Sequence, residues 1–254
     1  MRYPVLEQCL RYIRELTPGS IKSVIDIGVQ RKTDFLMQVF PDCYHHLFEP
    51  VSVYHEDLIE NYSLLGIENT LHKVALGDTD GKLFLHNQSL DGTGKVTHSQ
   101  IRPVKDEGMN ELVNIEDIES RRLDTVLSKK ELGDLSYIVK LDVDGVEEQI
   151  MDGGQDVIGG ACFVIIECSI GRQDLLSRAA ALEKLGFRIF DICDLSYYYG
   201  QLALVDLVMI NNRLRKAEPK FMPWQYGTKT LKWDKWQAGF PHLRNQFYKN
   251  PFLD

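Results

Sequence analysis

The sequence predicts an α/β fold built on a doubly wound, mostly parallel sheet of seven strands. Short apolar runs rich in Val and Ile alternate with segments whose apolar residues recur at helical spacing. Several of these runs end in an acidic residue, as expected where a parallel sheet opens onto a binding crevice. The 254 residues, of which 44% are hydrophobic, can bury the core of one such domain with appendages.

The first part of the chain alternates between helix and strand without interruption. Short β-branched runs predict the strands, and stop signals such as Pro41 and Gly66 end the helices. The predicted elements are a helix over 4–16, a strand over 23–28, a helix beginning at Thr33 or Asp34, a strand over 44–50, a helix over 54–65 and a strand over 69–78.

Residues 81–115 break this alternation. Their Gly, Ser, Thr and Asn content predicts an inserted hairpin followed by a mobile loop near the site. The alternation then resumes as far as residue 211. The predicted elements are a helical segment over 121–127, strands over 136–145 and 161–168, a helix that ends at Gly186, and strands over 187–193 and 202–211.

The segment from Arg213 onward lacks regular patterning and combines Lys and Arg with all three tryptophans. Such a mixture can bind a phosphorylated or nucleotide-linked sugar, a membrane surface or a partner subunit. We therefore predict a main domain over 1–212, which includes the first helix and the insertion, and a basic, aromatic tail over 213–254 that packs on it. Substrate binding by the tail and a clasp or homo-oligomer contact are both open.

Composition argues against several classes of function. The net charge of -8 disfavours broad affinity for nucleic acid. The five cysteines show no C-x-x-C spacing, lie mostly in apolar runs and predict reduced core thiols of a cytoplasmic protein. No apolar run approaches the roughly 18 residues that span a membrane, so we expect neither secretion nor insertion.

Acidic residues end four of the predicted strands. Asp26 and Gly28 end the first, Glu49 the second, Asp142 and Asp144 the fourth, and Glu167 the fifth. The first two strand ends form a nucleoside-binding arrangement, because Gly28 lets the backbone approach a ligand and Glu49 can accept both ribose hydroxyls. The fingerprint G-x-G-x-x-G is absent, which argues against NAD or FAD. S-adenosylmethionine, a nucleoside without a diphosphate, satisfies this pattern.

The series VIDIG, FEP, VALGD, RRLDTVL, VKLDVDGVEEQIMDGG and VIIEC resembles, in order and spacing over residues 23–210, the FkbM-type S-adenosylmethionine-dependent methyltransferases. The resemblance implies a Rossmann-like class I methyltransferase fold and O-methylation of hydroxyls on sugars and natural products. It also implies a role for six positions: Asp26 and Gly28 in the cofactor loop, Glu49 on the ribose, Ala75 and Leu76 near the adenine, and Asp142 beside the transferred methyl group.

The chain departs from the family pattern at two positions. The family carries another glycine in the first loop, where this chain has Lys32 or its neighbours, and a Glu where this chain has Asp144. We expect Gln30 to hydrogen-bond the methionine part of the cofactor, and Arg31 and Lys32 to face solvent.

Methyl transfer to oxygen requires an aligned acceptor hydroxyl and a group that helps to remove its proton. Asp142 and Asp144 are the predicted catalytic carboxylates, and His98 in the insertion is a further candidate base. Asp142 and Glu167 end neighbouring strands, so they form a candidate site for Mg²⁺, Mn²⁺ or Fe²⁺, which prefer hard oxygen ligands. The sequence leaves metal dependence open.

These observations lead to one principal hypothesis and two alternatives. The principal one is an S-adenosylmethionine-dependent O-methyltransferase that acts on a sugar, a nucleotide-sugar or a related small molecule, for example in polysaccharide biosynthesis. The second is a catalytically silent domain that binds the cofactor or a partner, which the altered glycine loop motivates. Methylation of nitrogen or of a protein is the third.

Overall fold

The computed structural model describes residues 3–89, 92–143, 145–218 and 221. Its strands are β1 (Ser23–Ile27), β2 (Tyr44–Phe48), β3 (Asn69–His72), β4 (Ala75–Leu76), β5 (Gly81–Gln88), β6 (His98–Arg102), β7 (Leu112–Arg121), β8 (Tyr137–Leu141), β9 (Phe163–Ser169), β10 (Phe187–Tyr198) and β11 (Gln201–Asn211). Its helices are α1 (Leu6–Leu16), α2 (Asp34–Val39), α3 (His55–Leu64), α4 (Leu123–Val126), α5 (Lys129–Leu132), α6 (Glu147–Gly153), α7 (Gln155–Gly160), α8 (Asp174–Lys184) and α9 (Asn212–Ala217).

Seven strands form the larger sheet, in the order β10-β11-β9-β8-β1-β2-β3. The pairs from β9 to β3 are parallel, and β11 runs antiparallel to both of its neighbours. The predicted α/β class and the seven-stranded, mostly parallel sheet are thus confirmed. The order of the strands reverses between β1 and β8, which is where a doubly wound sheet opens a crevice at its carboxyl edge.

Helices cover both faces of this sheet. On one face, α1 presents Leu6, Cys9, Leu10 and Ile13 at helical spacing and packs with α2 over β1, β8 and β9. On the other face, α6, α7 and α8 bury a second apolar cluster. Strand β8 lies between the two clusters and is buried along its whole length. Because each fully buried Leu, Ile or Val side chain contributes about 1.5–3 kcal/mol, these two clusters are the main source of stability.

The predicted strand over 69–78 is wrong, because it is two strands in two different sheets. Strand β3 pairs with β2 in the larger sheet, whereas β4 pairs with the end of β7 in a smaller one. The apolar run is continuous in the sequence, and a change of direction after His72 leaves no mark on its hydrophobic pattern.

The inserted segment over 81–115 is also more regular than the sequence indicated. Strands β5 and β6 form the predicted hairpin, but β7 joins them, and the three build a four-stranded sheet with β4 in the order β4-β7-β5-β6. Its polar residues favoured a loop. They form strands here because one face of the sheet covers the crevice of the larger one.

The chain beyond residue 211 begins with a helix that the sequence pattern did not indicate. The Asn211 side chain accepts a hydrogen bond from the Arg213 amide at 3.1 Å, which caps the first turn of α9. The tryptophans of the predicted tail lie outside the described residues. No helix among the residues that the structure describes is both long and apolar enough to span a bilayer.

Two glycines, Gly153 at the end of α6 and Gly159 in α7, offer a test of this packing. A Cβ at Gly153 would overlap the carbonyl oxygen of Gly77, whereas a Cβ at Gly159 would meet nothing within 4 Å. We expect Gly153→Ala to lower the free energy of unfolding by about 1–3 kcal/mol through overpacking. Gly159→Ala should leave it unchanged or raise it by up to about 1 kcal/mol. Urea unfolding of both variants measures the difference, and equal effects would contradict the packing of α6 against β4.

Candidate active site

A cavity of about 430 Å³ lies at the carboxyl ends of β1, β2 and β8. The larger sheet and the loop after β1 form its floor, and the smaller sheet covers it through side chains of β5 and β6. The residues that line it are Gly28, Val29, Gln30, Lys32, Thr33, Asp34, Phe35, Glu49, Pro50, Val51, Tyr54, Leu85, Thr97, Ser99, Ile101, Lys140, Asp142, Val143 and Val146. The predicted site residues Gly28, Gln30, Glu49 and Asp142 therefore meet in one place.

Gly28 allows the ends of β1 and β8 to approach each other. Its φ of 85° lies in the left-handed region, and a Cβ at this position would overlap the backbone carbonyl oxygen of Asp142. Its amide also donates to the carbonyl of Phe48 at 3.0 Å, which joins the loop to the end of β2. This glycine therefore sets the floor of the cavity and cannot be replaced without moving it.

Glu49 links the first two strand ends. One carboxylate oxygen accepts the Gln30 amide at 2.7 Å, and the other accepts the Val51 amide at 2.8 Å. Burial raises the pKa of Glu49 to about 7, although the two amide bonds act in the opposite direction. Each oxygen keeps a further acceptor site, so the carboxylate can still bind the hydroxyls of a ligand.

An apolar recess of about 40 Å³ adjoins the cavity and shares Gly28, Pro50 and Val143 with it. Ala75 and Leu76, which the resemblance predicts to lie near the adenine, line this recess. Apolar walls of this kind suit the flat face of a purine ring.

Lys140 is the central charge of the site. Its ammonium lies 2.9 Å from Asp142 Oδ2 and 3.5 Å from Asp26 Oδ1. Burial alone would lower the pKa of Lys140, but the two carboxylates raise it, so the side chain stays charged. Asp26 is fully buried and lies beside Lys140, and its oxygens accept no hydrogen bond. Of the two acids, only Asp142 lines the cavity.

The strand register puts these charges on one face of the larger sheet. Asp26 pairs with Lys140 across β1 and β8, and Glu167 pairs with Asp206 across β9 and β11. Two-residue alternation extends the row to Asp142, since it follows Lys140 by two positions. Burial, together with a smaller contribution from the neighbouring carboxylates, raises the pKa of Asp206 to about 7. A Lys within the apolar run YIVKL is a signal for such pairing, and the sequence interpretation gave it no role.

The predicted metal ligands Asp142 and Glu167 lie on this face together, but the ammonium of Lys140 already contacts Asp142. In the part of the chain that the structure describes, only Cys9, Asp191 and Cys193 bring three ligand atoms of His, Cys, Asp or Glu within 4.8 Å. That cluster lies between α1 and β10, and its residues do not line the cavity.

Several other predicted residues lie elsewhere or are not described. Asp144 and the side chain of His98 lie outside the described residues. Arg31 and Lys32 are both exposed, as expected; Lys32 also lines the cavity, and Arg31 pairs with Asp57. Leu85 in the cavity wall was missed because pattern reasoning assigned its segment to an insertion without a defined face.

The face of the smaller sheet towards the cavity changes from apolar to polar along its length. Leu85 belongs to the apolar cluster with Val51 and Tyr54. Further along, Asn87 donates to Glu116 at 2.5 Å and accepts from Ser99 at 2.7 Å. Since Ser99 also lines the cavity, this part of its wall carries a hydroxyl group that Asn87 holds in place.

Comparison with known proteins identifies the family. The methyltransferase FkbM domain matches residues 26–189. Among solved structures, an rRNA methylase from Streptococcus thermophilus is 13% identical, covers 83% of this chain and 98% of its own, and has a TM-score of 0.44. Precorrin-6y C5,15-methyltransferase from Geobacter metallireducens is 10% identical, with 83% and 91% covered and a TM-score of 0.42. TYW2 from M. jannaschii, in complex with AdoMet, is 11% identical, with 79% and 74% covered and a TM-score of 0.40.

No curated protein sequence matches the chain. The match to the family covers well over half of its residues and includes every strand end that contributes to the cavity floor. The chain belongs to the FkbM methyltransferase family.

Proposed function

We propose that this methyltransferase transfers the methyl group of S-adenosylmethionine to a hydroxyl of a sugar, a nucleotide-sugar or a related small molecule. The observation that carries the proposal is a single cavity with Glu49 at one wall and Asp142, held by Lys140, at another. The carboxylate of Glu49 can accept hydrogen bonds from a ribose, and the carboxylate of Asp142 can accept the proton of an acceptor hydroxyl.

The residues present fit the cofactor. The apolar recess at Ala75 and Leu76 suits the adenine, and the free lone pairs of Glu49 suit the ribose hydroxyls. Gly28 leaves room for a ligand close to the backbone.

Asp142 is the residue that we assign to the acceptor. When bound, S-adenosylmethionine supplies an electrophilic methyl group. Lys140 holds Asp142 Oδ2 at 2.9 Å, which leaves Oδ1 to accept the hydrogen bond of the acceptor hydroxyl. This orients the oxygen, and the carboxylate takes the proton as the new bond forms. The Asp142 side chain is 44% exposed, so an acceptor can reach it.

The hydroxyl groups of Thr97 and Ser99 in the cavity wall favour a hydroxyl-rich acceptor. Ser99 is fixed by Asn87 on the covering sheet and retains acceptor capacity. Thr97, also in the lining, adds a second hydroxyl. Groups of this kind recognise sugars through their hydroxyls, whereas a purely apolar mouth would not.

Binding of the cofactor product tests the first half of the proposal. Only the ionised form of Glu49 can accept bonds from both ribose hydroxyls, and its pKa is raised to about 7. We expect calorimetry to show the affinity for S-adenosylhomocysteine falling by up to about tenfold as the pH is lowered from 8 to 6.

Two variants identify the group that causes this pH dependence of binding. Glu49→Gln should weaken binding at pH 8 and remove the pH dependence. Asp206→Asn removes the other carboxyl whose pKa is raised to about 7 and should preserve the pH dependence. The same pH dependence in Glu49→Gln would show that Glu49 is not the ribose ligand.

Turnover tests the second half. Release of S-adenosylhomocysteine is measured with a panel of sugars and nucleotide-sugars, with their deoxy analogues and with primary amines. We expect turnover with hydroxylated acceptors and none with the deoxy compound that lacks the methylated hydroxyl. Binding of the cofactor without turnover on any acceptor would favour a silent binding domain, and turnover on amines would favour N-methylation.

Asp142→Asn is expected to lower kcat about 10²- to 10⁴-fold, because the variant cannot take the proton. The affinity for S-adenosylhomocysteine should change by less than about threefold, since the methyl-group end contributes little to binding of a product that lacks it. Asp152→Asn, at an exposed position of α6, is the control with the same charge change. Loss of cofactor affinity in step with activity would reassign Asp142 to cofactor binding.

Chelation distinguishes a metal-independent mechanism from a metal-assisted one. Because the Lys140 ammonium already faces Asp142, we expect turnover to survive exhaustive EDTA treatment and to show no stimulation by Mg²⁺, Mn²⁺ or Fe²⁺. Activity that is lost on chelation and restored by one of these ions would instead support a metal held by Asp142 and Glu167.

A further inference from the structure

The loop after β1, in which the family carries another glycine at Lys32 or one of its neighbours, contains a cation at the cavity. Lys32 lines the cavity, and its ammonium lies 3.1 Å from Asp34 Oδ1. Both side chains are largely exposed, at 48% and 61%. An ion pair this exposed contributes little to stability, so Lys32 can exchange its partner for a ligand at low cost.

Lys32 lies on the side of the cavity where the amino acid part of the cofactor would bind. With the adenine in the recess at Ala75 and the ribose at Glu49, the remaining part of S-adenosylmethionine is an α-amino acid. From Glu49, the cavity continues past Gly28 to the loop of residues 29–35. The α-carboxylate therefore reaches the segment that contains Lys32.

One backbone amide of this segment and two just after it are already used within the protein. The Gln30 amide donates to Glu49 at 2.7 Å. The amides of Leu36 and Met37 both donate to the Thr33 carbonyl at 3.1 Å. A carboxylate arriving here cannot use these three donors without breaking them.

The charges around the segment also disfavour an uncompensated carboxylate. Asp34 lies in the first turn of α2 and lines the cavity. Of the two cations in the described lining, Lys140 is engaged by Asp26 and Asp142. Arg31 pairs with Asp57 and does not line the cavity.

We propose that Lys32 binds the α-carboxylate of S-adenosylmethionine by a charge-assisted hydrogen bond, in place of the backbone contacts that a glycine-rich loop provides. The inference rests on the proposed function, because it requires this cofactor in this cavity. In this chain, the side chain of Lys32 would then bind the anion that the backbone of a glycine-rich loop binds in other members of the family.

Two ligands that differ in the amino acid part test the inference. S-adenosylhomocysteine carries the α-carboxylate, whereas 5′-methylthioadenosine carries the same nucleoside and sulfur without it. In calorimetry at pH 8, Lys32→Met should raise the Kd of the first about tenfold, the usual scale for one charge-assisted bond, and that of the second less than about twofold.

Three comparisons serve as controls. Lys32→Arg should stay within about threefold of the wild type, because it keeps the cation. Lys22→Met makes the same charge change at the opposite end of β1 and should affect neither ligand. In the wild type, raising the salt concentration should weaken binding of S-adenosylhomocysteine more than binding of 5′-methylthioadenosine. In Lys32→Met, it should weaken binding of both ligands to the same extent.

The outcomes separate the two proposals. Equal weakening of both ligands, or of neither, in Lys32→Met would overturn the role of Lys32 while leaving cofactor binding intact. A wild-type protein that binds neither ligand would overturn the proposed function and this inference with it. Retained binding of methylthioadenosine shows that the variant is folded.

Discussion

Burying the ammonium of Lys140 in a strand without solvent contact is unfavourable unless carboxylates face it, and Asp26 and Asp142 meet that requirement. Taking the ammonium of Lys140 or the carboxylate of Asp26 out of water costs several kcal/mol. Removing one of the two would therefore destabilise the fold, because the other charge would stay buried without a partner. Because Asp26 comes from β1 and Lys140 from β8, the pair also fixes the register of the two central strands. The same ammonium orients Asp142 at the cavity. The buried ammonium of Lys140 thus contacts both a core residue, Asp26, and the proposed catalytic carboxylate, Asp142.

The floor of the site depends on a second constraint, the close approach of three strand ends. Gly28 permits the ends of β1 and β8 to meet, and Glu49 ties the loop after β1 to the end of β2 through two backbone amides. Glu49 therefore has a structural role besides the ligand-binding role that we propose for it. Its use of the Gln30 amide removes a donor from the loop, which is why a side chain such as Lys32 becomes the candidate for an anionic ligand.

The smaller sheet explains how a modest fold encloses a cavity of this size. Its apolar end packs on Val51 and Tyr54, and its polar end places Ser99 in the lining. The first part contributes burial and the second contributes a polar group to the cavity wall, so one face both stabilises the insertion and shapes the proposed acceptor site. In a sequence without this face, the polar residues of β5 would be expected to remain in a loop.

The sequence by itself determined the fold class, the succession of the main strands along the chain and four residues that line the cavity. It did so because two-residue and helical periodicities, and acids at the ends of apolar runs, are local signals. Only the tertiary structure decided that residues 69–78 divide between two sheets, that the insertion forms a cover, and that Lys140 joins Asp26 to Asp142. These depend on contacts between segments far apart in the chain, and such contacts leave no periodic trace in either segment alone.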